Sequence, residues 1–568
     1  MEPWFIRYSR RLEDELQALG KTGLSFELDE AAKDAGRIVI RLKYPLEGML
    51  YDMEILFPEQ YPYFPFEIFC SSFPDGRHKN PNDGRLCLLK NPQQSWRSED
   101  DRLAAFLVNQ VPTIAAAHRE PDDAEEIEAH EAAQVTGYFP YAPGSSVFTG
   151  DWQVPPEYRR GYLLLGISSF PGTHGEPFRA AVLEVQDENR RVLVKIDEKL
   201  RKRYSPTSTG RWIRLQSAPP FDPALALADA ANVWKDLGTP RFDRAPDVVG
   251  FLIPEEVQYG QFAESWVFAV REKVRQQKPH GQAKLMAYFS RADQASESAL
   301  LARMSNLGPM RTKKVLVVGL GSIGSVYAWQ LARAGIGAIN MIDFDHLEFG
   351  NSSRWLLGWQ SSGHDKANLL AHHLGGHYPL STFRAWCWRI GSPSPTPELS
   401  ETKVLEEALN GVDLIFDATA EWCVSHFLSD LAQQRRIPYL WATGTPGARG
   451  GTIGRIVPGK TNGCWKCYQR HLTDGTILTP NHADLPDVQP VGCFHPTFTG
   501  TGFDMDHVTL AAVRLSASTL CLGENGGYPN FTWDVGTVNS WSNDGVPISP
   551  EWTTYTLDKH PACEHDVG

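Results

Sequence analysis

The sequence predicts a multidomain protein in which two α+β parts precede an α/β part. Three observations support this class. Residues 24–58 alternate apolar and polar side chains, as the strands of an antiparallel meander do. A second set of strand-like segments begins near residue 162. Residues 313–345 then follow the order strand, glycine-rich turn, helix and strand, which is typical of a βαβ unit in a parallel sheet.

The length of the chain allows more than one hydrophobic core. At roughly 100–200 residues per domain, a chain of 568 residues should hold about three domains. The changes of pattern place them at residues 1–145, 146–288 and 289–568.

Composition and charge exclude several classes of protein. Apolar residues make up 42% of the chain and charged residues 22%, which is typical of a soluble globular protein. The net charge of −13 argues against a general nucleic-acid-binding surface. No apolar run reaches the ~18 residues of a membrane span, and the N-terminal residues lack the apolar core of a signal peptide. Nine scattered cysteines do not form a disulfide framework, so we expect a reducing cytoplasm.

The first predicted domain combines helices with the meander. Residues 1–19 form an amphipathic helical pattern, and residues 99–118 predict a second helix. Residues 138–151 are rich in turn-forming residues and indicate a boundary near residue 145.

The second predicted domain has no chemical motif. Its predicted helices cover residues 224–238 and 262–277. Its predicted strands cover residues 162–169, 179–187, 191–197 and 211–217. We interpret this part as a linking or docking domain.

The third predicted domain opens with a nucleotide-binding pattern. Gly319, Gly321 and Gly324 follow an apolar strand and begin a helix, where a phosphate charge is favoured and backbone can approach it closely. Asp343 ends the next strand and could accept hydrogen bonds from ribose hydroxyls. This pattern alone suits a nicotinamide dehydrogenase as well as an adenylate-forming enzyme.

Three polar residues after the second strand favour the adenylate-forming enzyme. Asn351, Arg354 and Lys366 follow closely, and a basic pair near the phosphate loop suits a triphosphate better than a pyrophosphate. The alternative is a surface loop with ordinary charges.

Residues 300–565 resemble the ubiquitin-activating, ThiF-like and MoeB-like adenylating enzymes. The family's motif residues occur here in the family's order as Gly319, Gly321, Gly324, Asp343, Asp345, Asn351, Arg354 and Lys366. The resemblance implies a Rossmann-like adenylation domain that binds ATP with Mg²⁺. It implies that Asp343 holds the ribose, and that Asn351, Arg354 and Lys366 hold the phosphates, where Arg354 and Lys366 also assist catalysis.

The magnesium ligand departs from the family pattern. The family carries an aspartate after a later strand, at the position of Ala420 in this chain. Asp417 and Glu421 lie beside that position, and either carboxylate is a candidate ligand for Mg²⁺.

A cysteine pair has the spacing of a metal-binding knuckle. Cys464 and Cys467 are separated by two residues. The resemblance implies structural Zn²⁺ held by this pair and by Cys563 together with His560 or His565. The alternative is an unmetallated pair of ordinary cysteines.

Cys493 is the predicted thioester cysteine, because the related enzymes carry their thiol nucleophile at this place, before a Gly/Thr-rich turn and a helix. A thiolate near a helix N-terminus is stabilised by the helix dipole. The rival is the pair Cys464 and Cys467. The cysteines predicted to lie in the core are Cys70, Cys387, Cys423 and Cys521.

Cys87 follows a polar loop and is either a nucleophile or a small buried hydrophobe. Residues 1–140 resemble a ubiquitin-conjugating domain. Residues 44–68 are similar to that family's meander and proline-rich turn, residues 78–88 to its cysteine segment, and Trp96 to its following tryptophan. The resemblance implies that Cys87 is a second acyl-accepting nucleophile.

The cysteine segment differs from the family's segment in two ways. Lys79 stands where the family has proline, and the spacing from His78 to Cys87 is one residue short. Asn80 or Asn82 is therefore the candidate amide that stabilises the oxyanion, and His78 is expected to be structural.

An activating and a conjugating cysteine in one chain resemble the CD-NTase-associated protein 2 family of bacterial fusion enzymes, found in type II CBASS antiviral operons. The resemblance implies that the acylated substrate is the C-terminal glycine of a cGAS-like nucleotidyltransferase. The enzyme would ligate this protein to a lysine of a target and so prime antiviral cyclic-nucleotide signalling.

Other functions stay open at this stage. The chain could activate and conjugate a bacterial ubiquitin-like protein, or activate a sulfur carrier, which needs no conjugating domain. In a non-enzymatic alternative, the N-terminal domain is an inactive scaffold that docks a partner. The family resemblance also implies a homodimer, in which Arg303 would reach ATP across the interface.

Overall fold

The structure is a computed structural model. It describes residues 2–74, 78–89, 95–117, 132, 134–170, 176–242, 245–258, 260–275, 283–304, 306–393, 400–484, 488–489 and 497–564. The chain divides into two compact units, and each is described by itself. The first comprises Met1–Ile196 and Tyr204–Gln294, and the second comprises Asp197–Arg203 and Ala295–Gly568. None of the helices in these ranges is long and apolar enough to cross a membrane.

The N-terminal part of the first unit is a four-stranded antiparallel sheet with helices. The helices are α1 (Trp4–Arg7), α2 (Ser9–Lys21), α3 (Glu30–Asp34), α4 (Leu103–Ala105) and α5 (Val111–Ala117), with a π-helical turn at Phe106–Gln110. The strands are β1 (Phe26–Leu28), β2 (Ile38–Leu46), β3 (Met49–Phe57) and β4 (Glu67–Phe69), side by side in that order. The predicted meander and both predicted helices are therefore confirmed.

This sheet forms because one face of each long strand is apolar. Ile38, Ile40, Leu42 and Tyr44 are buried at alternate positions of β2. The aromatic side chains of the loop after β3 complete this core, where the ring of Tyr61 lies 4.7 Å from that of Trp4.

The C-terminal part of the first unit is an eight-stranded sheet. Its strands are β5 (Tyr141–Thr149), β6 (Arg160–Ser169), β7 (Arg179–Gln186), β8 (Val192–Lys195), β9 (Ser208–Arg214), β10 (Asp247–Gln258), β11 (Gln261–Arg275) and β12 (Ala283–Gln294). They lie in the order β5, β12, β11, β10, β9, β6, β7, β8. Helix α7 (Pro223–Val233) follows a short helix α6 (Glu198–Arg201) that belongs to the second unit.

Two predictions for this region are wrong. Residues 262–277 are predicted as a helix, but they begin within β11, which pairs with β10 and β12 along its two edges. The run Trp266–Val270 is buried at every position, so both faces of the strand are covered and the usual alternation is lost.

The predicted turn at residues 138–151 is mostly strand β5. Pro143 and Gly144 produce the turn-like composition, but Val147 and Thr149 point into the core at alternate positions. The predicted boundaries at residues 145 and 288 fall inside β5 and β12. The division into three domains stays a prediction.

A buried ion cluster joins three strands of this sheet. Asp247 accepts from Arg211 Nη2 at 2.6 Å and from Arg271 Nε at 2.8 Å, and all three side chains are almost fully buried. Each guanidinium also donates to a backbone carbonyl.

Replacing Asp247 with alanine should lower the free energy of unfolding by about 3–5 kcal/mol, because it leaves two buried cations without their carboxylate. Urea unfolding followed by circular dichroism measures the change. The matched control is Glu188→Ala, which removes an exposed partner of Arg160 in the same sheet region and should cost less than about 1 kcal/mol. Equal losses in the two variants would contradict the assignment.

The second unit contains a mixed eight-stranded sheet. Its strands are β13 (Lys314–Val318), β14 (Ala338–Ile342), β15 (Thr382–Trp386), β16 (Leu414–Asp417), β17 (Tyr439–Gly444), β18 (Gly450–Ile456), β19 (Val535–Trp541) and β20 (Pro547–Tyr555). Its helices are α8 (Glu297–Leu301), α9 (Ser322–Arg333), α10 (Lys366–His377), α11 (Glu401–Leu409), α12 (Trp422–Arg435), α13 (Trp465–Thr473) and α14 (Gly502–Leu520).

The strand order creates a crevice at one edge of this sheet. The order is β15, β14, β13, β16, β17, β18, β19, β20, and the first five strands are parallel. The chain moves outward from β13 to β15 and then returns to the other side of β13. Ligands bind outside the carboxyl ends of parallel strands at such a reversal. The predicted βαβ unit is confirmed, and the site should lie where β13 and β16 end.

Candidate active site

A cavity of about 220 Å³ lies at this reversal. The ends of β13, β14 and β16 contribute to its wall, together with the residue that begins α10. Its lining residues include Gly319, Gly321, Asp343, Asp345, Lys366, Thr419 and Glu421. The structure therefore brings four of the predicted nucleotide-site residues together, namely Gly319, Gly321, Asp343 and Lys366.

Two of the predicted glycines are required by close backbone packing. Gly319 has φ +82°, and a Cβ there would lie 2.8 Å from the backbone of Ala418. A Cβ on Gly324 would clash with the carbonyl oxygen of Gly319. Gly321 faces open space and lines the cavity. The loop thus brings backbone and the start of α9 against the cavity, where a phosphate would be stabilised.

The carboxylates and Lys366 give the cavity its charge. Asp343 is buried and accepts from Leu320 N at 2.5 Å and from Asp345 N at 2.8 Å. Burial raises the pKa of Asp343, and the cation of Lys366 opposes that shift. Lys366 Nζ forms an ion pair with Asp345 Oδ2. Asp365, which precedes Lys366, caps α10 by accepting from Asn368 N. The cavity wall therefore holds two cations, Lys366 and Arg389, and three acids, Asp343, Asp345 and Glu421.

The structure places Asn351 and Arg354 outside this cavity wall. Asn351 accepts from Glu348 N at 3.2 Å and so caps a short 3-10 helix. Arg354 donates to Phe498 O at 2.6 Å and to Thr497 Oγ1 at 2.9 Å. In this conformation Arg354 holds the chain that leads into α14.

Asp417 lies in the core behind the cavity. Its carboxylate accepts four hydrogen bonds, from Thr419 N and Oγ1, from Ser425 Oγ and from the Tyr439 hydroxyl. Burial and then this carboxylate raise the pKa of Tyr439, so its hydroxyl stays a donor. Glu421, in contrast, is exposed and lines the cavity. Of the two candidate Mg²⁺ ligands, only Glu421 faces the cavity.

Replacing Asp417 with alanine should lower the free energy of unfolding by about 3 kcal/mol, because buried donors lose a charged acceptor. It should also weaken nucleotide binding, since Thr419 and its neighbours form part of the cavity wall. Urea unfolding and calorimetric titration of an ATP analogue measure the two effects. Asp430→Ala, an exposed change on α12, is the control and should alter neither. Full stability in Asp417→Ala would contradict the structural role.

Sequence reasoning missed the apolar part of the cavity. Phe344, Trp388, Arg389 and Ile390 line it, and the guanidinium carbon of Arg389 lies 5.0 Å from the centre of the Phe344 ring. These residues follow β14 and β15. The only signal in the sequence was the position of Phe344 directly after the second predicted strand, since β15, which precedes the other three residues, was not predicted.

Three cysteines form a buried cluster. Cys464 Sγ lies 3.7 Å from both Cys467 Sγ and Cys563 Sγ. Thiolates bound to zinc at ~2.3 Å in a tetrahedron lie about 3.8 Å apart, so the three sulfurs fit Zn²⁺.

His560 is engaged away from this cluster. Its Nε2 bonds to Asp474 Oδ2 at 3.1 Å, and its Nδ1 accepts from Ala562 N at 3.0 Å. His565, the other predicted histidine ligand, lies outside the described residues.

Cys87 is exposed, so the alternative of a buried structural thiol is wrong. Its backbone N donates to His78 O at 2.8 Å. Asn80 is buried, and its side chain accepts from Asn82 N at 2.9 Å. Lys79 Nζ donates to the carbonyls of Ser71 and Phe73, which fixes the loop that precedes the cysteine.

The other cysteine predictions have mixed outcomes. Cys70 and Cys521 are buried as predicted, but Cys387 and Cys423 are exposed, because they follow β15 and begin α12 at the surface. Cys493 lies outside the described residues. Arg303 follows α8 by two residues.

The fold, the glycine loop and the charged cavity define a nucleotide-binding site, and the family match of the segment that contains it makes the protein an ATP-dependent activating enzyme. Residues 297–499 match the ThiF family, which confirms the predicted resemblance for this part of the chain.

Whole-length similarity is to a protein without a described activity. The chain is 27% identical over 592 residues to the uncharacterized protein y4oA of Sinorhizobium fredii, covering 99% of this chain and 97% of that protein. It is 35% identical over 112 residues to the ATP-dependent ubiquitin transferase-like protein Cap2 of Enterobacter hormaechei, covering 20% and 17%. The crystal structure of E. coli MccB with ATP is similar at 18% identity, covering 45% of this chain and 67% of that one, with a TM-score of 0.33.

Proposed function

We propose that this protein is an ATP-dependent protein-conjugating enzyme. It adenylates the C-terminus of a partner protein, passes the acyl group through thioesters on Cys493 and Cys87, and ligates it to a lysine of a target. The observation that carries the proposal is the cavity lined by Gly319, Asp343 and Lys366 in the ThiF-matching segment. The exposed Cys87 in the same chain supports the conjugating step.

The proposed chemistry is a series of acyl transfers. The substrate carboxylate attacks the α-phosphorus of ATP and pyrophosphate leaves, which gives an acyl adenylate. The Cys493 thiolate then attacks the carbonyl carbon and AMP leaves. The Cys87 thiolate displaces the Cys493 thiolate, and the target amine finally displaces Cys87 and loses a proton. Each thioester divides a difficult condensation into easier steps.

The residues of the cavity have separate roles in this proposal. Asp343 accepts from the ribose, and Lys366 balances the charge of the phosphates after leaving Asp345. Glu421 is the proposed Mg²⁺ ligand, because its carboxylate faces the cavity and that of Asp417 does not. Mg²⁺, when bound, neutralises phosphate charge. Asn351 and Arg354 are proposed to turn toward the phosphates when ATP binds.

Structural Zn²⁺ is proposed at Cys464, Cys467 and Cys563, where it would join α13 to the C-terminal segment. Its support is the separation of 3.7 Å between Cys464 Sγ and each of the other two sulfurs. The ion would hold the fold, since the thiols are buried.

The substrate and its setting follow from family resemblance. The proposed partner is a cGAS-like nucleotidyltransferase with a C-terminal glycine, and the proposed setting is CBASS antiviral signalling in the cytoplasm. The similarity to a protein named as ubiquitin transferase-like supports protein conjugation. We also propose a ubiquitin-conjugating-like N-terminal domain and a homodimer in which Arg303 contributes across the interface.

ATP–pyrophosphate exchange tests this proposal with the products of neighbouring genes as candidate substrates. Exchange should require one protein with an intact C-terminal glycine and should stop when that glycine is deleted. A bacterial ubiquitin-like protein or a sulfur carrier as the active substrate would select one of the alternative functions. Exchange with none of the candidates would contradict the proposed substrate class.

A further inference from the structure

A second cavity of about 270 Å³ lies in the same unit. Helix α9 supplies Trp329 to its wall, and α14 supplies Phe503, Asp506 and Leu510. These α14 residues are spaced by three and four positions and so share one face of the helix. Phe503 is 73% exposed and Leu510 is 45% exposed. When large apolar side chains are grouped at an accessible cavity, the cavity is usually a binding site.

The wall of this cavity is held in place before any ligand binds. Trp329 Nε1 donates to the Tyr378 hydroxyl at 2.8 Å, and the Arg333 guanidinium lies 4.7 Å from the Trp329 ring. Arg354 also lines the cavity, but its guanidinium donates to Thr497 and Phe498. The guanidinium of Arg354 is therefore already bonded to the segment that leads into α14.

Asp506 is the acid in this cavity. Its carboxylate is half-buried and forms no hydrogen bond or ion pair with the residues that the structure describes. Burial raises the pKa of Asp506, and the adjacent His507 opposes the shift. A carboxylate in apolar surroundings is costly until a cation pairs with it. A single carboxylate is a poor site for a divalent metal, which needs several oxygen ligands. An organic cation suits the cavity better.

We propose that this cavity binds a lysine or arginine side chain of the protein substrate, with the charged head on Asp506 and the aliphatic stem against Phe503 and Leu510. Long basic side chains bury their stems on apolar surface while the head finds an acid or an aromatic ring. The net charge of −13 also favours approach of a basic segment.

The substrate is the chosen occupant because one connection lines both cavities. Between β14 and α10, Asp343 and Asp345 face the nucleotide cavity, and Ser353 and Arg354 face the second cavity. The two walls also touch, because Trp355 of the second cavity donates from Nε1 to Leu320 O at 2.6 Å, and Leu320 lies between two glycines that line the first cavity. A polypeptide that delivers its C-terminus to the first cavity can therefore contact the second with a preceding residue. The choice of the protein substrate as occupant rests on the proposed function, whereas the preference of the cavity for a cation does not.

The test uses N-butylguanidinium as the probe and N-butylurea as its neutral counterpart. Saturation-transfer NMR of the whole chain should detect binding of the cation, and the urea should bind at least tenfold more weakly. Asp506→Asn should weaken binding of the cation at least tenfold. Asp504→Asn, the same change of charge on the same helix, should leave it unchanged. Phe503→Ala removes an exposed ring and should weaken both probes, which keeps the test valid if Asp506→Asn folds poorly.

Three outcomes would overturn the proposal. The first is equal binding of the cation to wild type and to folded Asp506→Asn. The second is binding of neither probe while Phe503→Ala converts a dimer to a monomer in sedimentation, which would assign this face to a second copy of the chain. The third is inhibition of ATP–pyrophosphate exchange that competes with ATP, because the probe should compete with the protein substrate. Probe binding without exchange by any candidate protein would overturn the substrate as occupant and the proposed substrate class, and would leave the cation preference standing.

Discussion

Replacing Lys366 with alanine should reduce ATP–pyrophosphate exchange by up to about a thousandfold, because a preorganised cation in a closed site stabilises charge that develops in the transition state. Lys366 is the lysine that lines the nucleotide cavity. It is buried at the start of α10, so the cavity cannot replace it with a mobile surface lysine. Initial rates of exchange at saturating protein substrate measure the effect.

Two further variants make this result specific. Lys313→Ala removes a partly buried partner of Glu524, outside the nucleotide cavity in the same unit, and should leave the rate unchanged. Arg354→Ala should reduce the exchange rate at least several-fold but less than Lys366→Ala does. The reason is that Arg354 donates to Thr497 and Phe498 and does not line the nucleotide cavity. Normal exchange by both Lys366→Ala and Arg354→Ala would exclude the assigned nucleotide site.

The glycine loop, Asp343 and Lys366 were predictable because their constraints are local. Gly319 and Gly324 are fixed by backbone packing that other residues cannot adopt, and such packing leaves a spacing pattern in the sequence. Asp343 ends a strand that periodicity reveals, whereas Lys366 was found by its place in the family's motif order.

The role of Asp417 was not predictable in the same way. The residues that bond to it come from the following turn, from α12 and from β17, and only the fold brings Ser425 and Tyr439 to one carboxylate. The apolar wall around Trp388 depends on the pairing of β14 with β15 for the same reason.

The misassigned strand β11 illustrates a different limit. Its buried run at Trp266–Val270 has neither the period of a half-exposed strand nor that of an amphipathic helix. Arg271 and Glu272 then add a helix-like charged end, although both are buried in the sheet. Arg271 can be charged in the sheet because it pairs with Asp247, which is distant in the sequence. No local sequence pattern predicts that partner.

Replacing either proposed nucleophile should abolish conjugation, but the two variants should stop at different stages. Cys87→Ala should still accumulate a reducible adduct with the substrate, because Cys493 receives the acyl group first. Cys493→Ala should form the adenylate and carry no adduct on either cysteine. The order follows from the sequence positions, since Cys493 lies in the ThiF-matching segment and Cys87 does not. One chain keeps both thiols at high effective concentration, so transfer needs no release.

Non-reducing electrophoresis with ATP and the active substrate reads out each stage, and a thiol reductant should remove every adduct. Cys423→Ala is the matched control, because Cys423 is also exposed and lies beside the nucleotide cavity on α12. It should charge and conjugate as the wild type does. Normal charging of Cys87 in Cys493→Ala would show that the relay is wrong. The acyl group would then pass through Cys467 before it reaches Cys87, or it would move from the adenylate directly to Cys87 as the first acceptor.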